Sequence, residues 1–202
     1  MSDTIIIDRG ISHGAARVHG VNPVFLVEKI IRERILDSLY WKKDCFHLNA
    51  LTILDKAVAL RMVGTYSNVN RTKPCIFMCL LLKMLQIQPS PEIVNYLLRQ
   101  PHFKYVTALA ALYVRLTSSS VQVYKTLEPL LEDYRKLVLF DGMKKRLIHM
   151  DELVDDLLTK EKFCDLMMPR LVDRLQLEEQ ELIDPRESVL QEEFEKELED
   201  GL

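Results

Sequence analysis

The sequence predicts an all-α, compact multi-helix single domain with one small β-hairpin near residues 138–148. Three observations carry this. Apolar residues recur at three- and four-residue spacing, as in Val27, Ile31 and Ile35 or in Leu153, Val154, Leu157 and Leu158, the period of a helix that buries one face. Proline and small polar residues open several of these stretches, as in Asn22-Pro23, Asn49, Pro74 and Ser118-Ser119-Ser120, where capping side chains and a missing N–H do least harm. Glycine is scarce at 6 residues, and one Asp141-Gly142 pair stands between two short apolar-alternating runs, the signal of a hairpin whose two-residue turn needs positive φ.

The elements follow in order. Residues 1–18 lack periodicity and read as an extended arm. Asn22 and Pro23 cap and open a helix with Val27, Ile31 and Ile35 on its inner face, flanked by Leu26 and Ile30; Glu28 and Arg32 stand at pairing distance on its outer face. A short connector at Leu39-Tyr40-Trp41 follows, then a second long helix capped by Asn49 with Leu51, Leu54, Val58 and Met62 as its stripe. A polar loop precedes Pro74, which opens a helix apolar nearly all round and therefore central. Ile93, Val94, Leu97 and Leu98 form the stripe of a short helix ended by Pro101, and an alanine-rich helix spans about 103–116. Tyr124, Leu127, Leu131, Tyr134 and Val138 mark a long helix bent at Pro129. After the hairpin, Met150 opens one helix, and Phe163, Met167, Leu171 and Leu175 mark another.

Length and composition bound the function. At 202 residues, 48% hydrophobic and 28% charged, the chain suits one soluble domain with a tail. Its longest apolar run, Cys75 to Leu82, is far too short to span a membrane, and no secretory signal is visible. The four cysteines are therefore expected as thiols. The net charge of −3 is unevenly placed: residues 178–202 hold 11 acids and 2 bases, the remainder 19 acids and 25 bases. Three segments are expected: the arm 1–18, a helical body 19–177 and an acidic segment 178–202 that forms a helix only on docking. Leu190, Phe194 and Leu198 give that segment an apolar stripe among glutamates.

Catalytic chemistry is not spelled out. Cys75 and Cys79 lie four apart without a Cys-x-x-Cys, and the histidines are scattered, so core packing is expected rather than a metal. No serine sits in a nucleophile elbow, no glycine pattern cradles phosphate, and adjacent acids such as Glu132-Asp133 diverge on a helix. No cofactor, metal or catalytic residue is expected. His149 is expected to serve a helix start. Two polar features remain. Tyr66, Arg71 and Lys73, with Arg61, Asn68 and Asn70, combine charge, an aromatic ring and amides in one loop; this suits either RNA contact or a plain connector. Lys144, Lys145 and Arg146 on the hairpin suit phosphate, an acidic partner, or protection of a strand edge. Tyr40 and Trp41 are expected at a groove or the body's edge as partner anchors, with Trp41 as a plug between the first two helices the alternative.

Particular words carry a resemblance. His19-Gly20-Val21-Asn22-Pro23 leads into Leu26-Val27-Glu28-Lys29-Ile30-Ile31-Arg32. Tyr40-Trp41-Lys42-Lys43-Asp44-Cys45-Phe46, Phe103-Lys104-Tyr105-Val106, Leu127-Glu128-Pro129-Leu130, His149-Met150-Asp151-Glu152 and Pro169-Arg170-Leu171 follow in order. The set resembles the N-terminal conserved domain of the pre-mRNA-splicing factor 38 family over about residues 19–175. Two departures stand out: Met62 to Asn68 replaces a glycine-rich stretch of animal members, and their long Arg-Ser tail is absent, as in a short form. The resemblance implies a nuclear, non-catalytic spliceosomal scaffold that joins before activation. It implies a zinc-finger splicing protein, a microfibrillar-associated-protein-like splicing protein and the tri-snRNP as partners, with snRNA contact possible and no membrane. The alternative is a helical RNA-binding module using the loop 61–73 and the hairpin 144–146.

Overall fold

The computed structural model describes residues 15–186. Most of the expected arm and the stripe at Leu190 and Phe194 fall outside them. The chain divides into two compact units, Met1–Leu171 and Val172–Leu202. In the second, α8 (Arg174–Glu179) is capped by the Asp173 side chain and runs through residue 177, where the charge pattern placed the end of the body.

The first unit opens with residues that are tied down. Ala16 exchanges two backbone bonds with the Gln88 side chain, at 2.8 and 2.9 Å, and the His19 ring lies 3.1 Å from the Leu116 carbonyl. The first expected helix is two pieces. Asn22 accepts from the Val24 N–H, and Pro23–Leu26 form a 3-10 turn; α1 (Lys29–Asp37) starts after extended backbone at Val27 and Glu28. Arg32 accounts for the break. It is buried, and its guanidinium donates to the Val24 and Val27 carbonyls at 3.2 and 3.1 Å, acceptors that a continuous helix would have used internally. Arg32 is thus buried rather than on the outer face expected for it, and Ile30 is exposed, whereas Val27, Ile31 and Ile35 are buried.

The second helix is shorter than expected. Asn49 accepts from the Leu51 and Thr52 N–H groups at 2.9 Å, but α2 (Thr52–Val58) ends early. Its inner face is Ile53 and Ala57; Leu51 and Val58 are exposed. After it comes β1 (Val63–Gly64). α3 (Ile76–Ile87) is the centre of the core, buried from Phe77 to Leu85, Lys83 included. α4 (Pro91–Leu98) and α5 (Lys104–Thr117) follow, the latter burying every residue from Val106 to Leu116.

α6 (Ser120–Leu127) does not continue to Val138. Pro129 lies at the start of a 3-10 segment, Glu128–Glu132, where its fixed φ and absent N–H suit a tighter turn. Asp133 then binds Arg135 through both carboxylate oxygens, and Arg135 also reaches the Gln100 and Pro101 carbonyls at 2.8 Å. Burial raises the Asp133 carboxyl, but the Arg135 hydrogen bonds outweigh it and leave the pKa below the ordinary value. This pair straightens the chain into β2 (Lys136–Phe140), which pairs antiparallel with β3 (Lys145–His149) and parallel with β1. "All-α" is therefore too strict: a three-stranded sheet, order β1-β2-β3, is built into the helical body.

The expected hairpin is present with a longer connection. Phe140 pairs with Lys145, so the loop has four residues, and the Asp141 carboxylate accepts from the Met143 and Lys144 N–H groups at 3.0 Å. That local bonding replaces the two-residue turn. α7 (Met150–Thr159) begins at His149, whose N–H is taken by Glu152. Beyond it the helical stripe expected from Phe163 to Leu175 gives way to a second hairpin, β4 (Lys162–Phe163) and β5 (Leu166–Met167). Cys164 and Asp165 both have positive φ, 49° and 57°, as a two-residue primed turn requires.

Candidate functional site

Three successive stretches between Leu39 and Ile76 form one apolar groove of about 530 Å³. Leu39, Tyr40, Lys43 and Asp44 come from the turn after α1, Ala59 to Met62 from the chain after α2, and Ser67 and Lys73 to Ile76 from the lead into α3. The first wall is fixed by Ser38, whose hydroxyl donates to the Ile35 carbonyl at 2.7 Å and accepts from the Trp41 N–H at 3.2 Å. A π-turn, Trp41–Cys45, closes through Phe46 N–H to Trp41 O at 3.1 Å. Leu39 is 78% exposed and Ile76 45%, so apolar surface stands open at both sides. The one acid in the lining, Asp44, is paired with Lys56 at 2.8 Å, while Lys43, Arg61 and Lys73 give the rim a basic balance.

The expected aromatic pair separates here. Tyr40 is half-buried and lines the groove. Trp41 is 6% exposed and belongs to the core, which corrects its expected place at the edge. Consecutive residues of a helical turn diverge by about 100°, so one ring faces the groove and the other faces α3. There the Lys83 ammonium lies 5.8 Å from the Trp41 ring centre and donates to the Phe46 carbonyl at 3.0 Å. Burial lowers the Lys83 pKa. Burial also pushes the Cys45 thiol up to about 12 and raises those of Cys75 and Cys79. Among the described residues no group of three or more His, Cys, Asp or Glu is placed to hold a metal.

The loop 61–73 is built rather than slack. Tyr66 is buried, with the Arg34 guanidinium 5.4 Å from its ring centre, so of the two readings of this loop its ring suits the connector rather than contact with a base. The Asn68 side chain accepts from the Thr72 and Lys73 N–H groups, which spends its amide on the loop. Arg71 adopts φ 52°, and its carbonyl accepts from Arg34. Its guanidinium packs against Gly142, 3.1 Å from where a Cβ would stand, and lies 3.9 Å from Asp165. The loop and the tip of the β2–β3 hairpin, read separately in sequence, are therefore in contact. Lys144, Lys145 and Arg146 are exposed beside them, with Arg146 3.6 Å from Asp141. Lys73 faces the groove instead.

Sequence reading missed Leu39, Met62, Pro74 and Ile76 as lining residues. The signal for Leu39 was its place beside Tyr40, outside any helical stripe; Ile76 carried none, because its whole helix is apolar.

A helical body with an inserted sheet thus carries an open apolar groove lined also by Lys43, Arg61 and Lys73. Residues 16–181 match the PRP38 family, and the chain belongs to it. It is 50% identical over 177 residues to pre-mRNA-splicing factor 38 of Schizosaccharomyces pombe, covering 88% of this chain and 83% of that protein. It is likewise 50% identical over 183 residues to pre-mRNA-splicing factor 38A of Danio rerio, covering 90% of this chain but 58% of that protein. The chain thus spans little more than half the length of such vertebrate relatives. A chain in the crystal structure of the Snu23-Prp38-MFAP1 complex of Chaetomium thermophilum is 40% identical, with a TM-score of 0.84, covering 93% of this chain and 99% of that one.

Proposed function

We propose that this chain works in the nucleus in pre-mRNA splicing as a non-catalytic scaffold. On this reading it joins the pre-catalytic spliceosome with the tri-snRNP and helps activation through several protein contacts. Its partners are the counterparts of Snu23 and MFAP1, by likeness to the complex in which the related Chaetomium chain was crystallised. The groove between Leu39, Tyr40, Met62 and Ile76 is the observation that carries this: an open apolar trough with basic ends suits an amphipathic helix whose flanks are acidic. The test is Leu39→Glu with Ile76→Glu. Both residues are exposed, so stability should move by less than about 0.5 kcal/mol. Affinity for the two counterparts should fall about tenfold or more, about 1.4 kcal/mol. Unchanged affinity removes the groove from the reading.

The contact of Arg71 with Gly142 favours a second reading, an RNA-binding surface joining loop and hairpin tip. Capture from nuclear extract separates the two. Recovery of splicing proteins after nuclease treatment supports the scaffold; recovery only with RNA intact, with a steep fall in salt, supports the RNA surface.

A further inference from the structure

The β-sheet has an open side. β3 is its edge strand, and the register with β2 fixes which peptide groups face outward. Met150 N–H donates to Arg135 O at 3.0 Å and Asp141 N–H to Lys144 O at 3.3 Å. Antiparallel ladders alternate inward and outward residues, so Lys144, Arg146 and Ile148 turn their peptide groups to β2. Lys145, Leu147 and His149 turn theirs away. Glu152 takes the His149 N–H at 3.1 Å. Among the described residues no bond meets the outward N–H or C=O of Lys145 or Leu147. Leu147 is 62% exposed and Met143, in the adjoining loop, 77%. Lys145 and Arg146 are exposed on the same strand.

Unpaired edges of this kind template another strand. The charges decide which. A second copy pairing about Arg146 would set arginine against arginine and bring both basic hairpins together, which like-charge pairs disfavour. A phosphodiester backbone supplies acceptors to the amides but leaves the Lys145 and Leu147 carbonyls unanswered. An extended peptide supplies both donors and acceptors at strand spacing. We propose that the β3 edge accepts an extended acidic segment of another protein as a fourth strand, with carboxylates beside Lys145 and Arg146 and an apolar residue against Leu147. The proposal is independent of the groove and stands or falls without it.

The experiment uses the full 202-residue chain, labelled with nitrogen-15, and as probe a capped heptapeptide with a central valine-glutamate-glutamate run between threonines, which in an antiparallel strand sets valine against Leu147 and the adjacent glutamates beside Arg146 and Lys145 on opposite faces. Amide exchange at Lys145 and Leu147 should slow at least tenfold on saturation. Lys145→Glu should weaken binding at least tenfold. Leu147→Pro removes an outward N–H but no β2–β3 bond, so the α5 amide shifts should stay in place while binding is lost. Three results overturn the proposal: no protection at millimolar peptide, protection elsewhere, or equal binding by Leu147→Pro. So do two comparisons: equal binding of a lysine-for-glutamate peptide, or protection of these amides by oligouridylate and not by the peptide.

Discussion

Arg32 and Lys83 show how single side chains shape this core. Each is a buried cation whose hydrogen-bond donors answer backbone carbonyls at a break in helical structure: Val24 and Val27 for Arg32, Phe46 for Lys83. Replacing Arg32 by Met keeps much of the bulk but removes the guanidinium from the Val27 carbonyl and leaves the Val24 carbonyl only the Val27 N–H at 3.3 Å. The expected loss is about 1.5–3 kcal/mol in urea unfolding. Neither role was legible in sequence. Arg32 falls at helical spacing from Glu28, and no residue type around it shows that its side chain turns inward to answer the carbonyls at the break. The thiols give a second expectation at this scale. Burial raises Cys45 from an ordinary 9.0 to about 12, and burial likewise raises Tyr113 to about 12. A raised folded-state pKa means that the native chain holds its protons more tightly. That stability is fully present below the unfolded pKa and is lost as pH rises through the folded one. The melting temperature should therefore fall progressively from about pH 9 toward pH 12, and Cys45→Ser should reduce that slope. A flat profile across this window would contradict the buried-thiol account.

At the scale of elements, close strand approach is the sensitive point. Gly64 has φ 154°, and a Cβ there would stand 2.7 Å from the Phe140 carbonyl oxygen. Gly64→Ala should cost about 1–3 kcal/mol through this overlap, lowering the melting temperature by about 2–4 °C per kcal/mol in a chain of this size. Gly20→Ala is the comparison without overlap: it has a positive φ of 79° but nothing within 4 Å of its Cβ position, so it shows backbone strain alone. Sequence showed the β2–β3 hairpin because Asp141-Gly142 advertises a turn. It hid β4–β5 because Cys164 and Asp165 carry that turn's positive φ without a glycine between them. There, Thr65 Oγ1 donates to the Cys164 carbonyl at 2.5 Å, a contact 99 residues distant in the chain. β1 is two residues long, too short for alternation to show. The helices were legible where their stripes were long, in α3, α5 and α7. They were misread past Pro129, where the Asp133–Arg135 pair turns the chain into a strand.

Across the whole molecule, the division at Leu171 leads to the expectation that the first unit folds alone. A chain ended after Leu171 should melt in one cooperative calorimetric transition, and a broad or absent transition would contradict this. The groove is a property of this scale too. Its walls come from residues 39–44, 59–62 and 67–76, and no sequence motif contains it. Tyr40 and Lys73 were legible as candidates from their chemistry, but their shared surface needed the fold. The central claim is that partners dock in this groove. Amide exchange of the chain, alone and with the counterparts of Snu23 and MFAP1, tests it most directly. The account predicts slowed exchange at 39–44, 59–62 and 73–76 on binding. Binding that leaves those segments unchanged and protects other surfaces would contradict it.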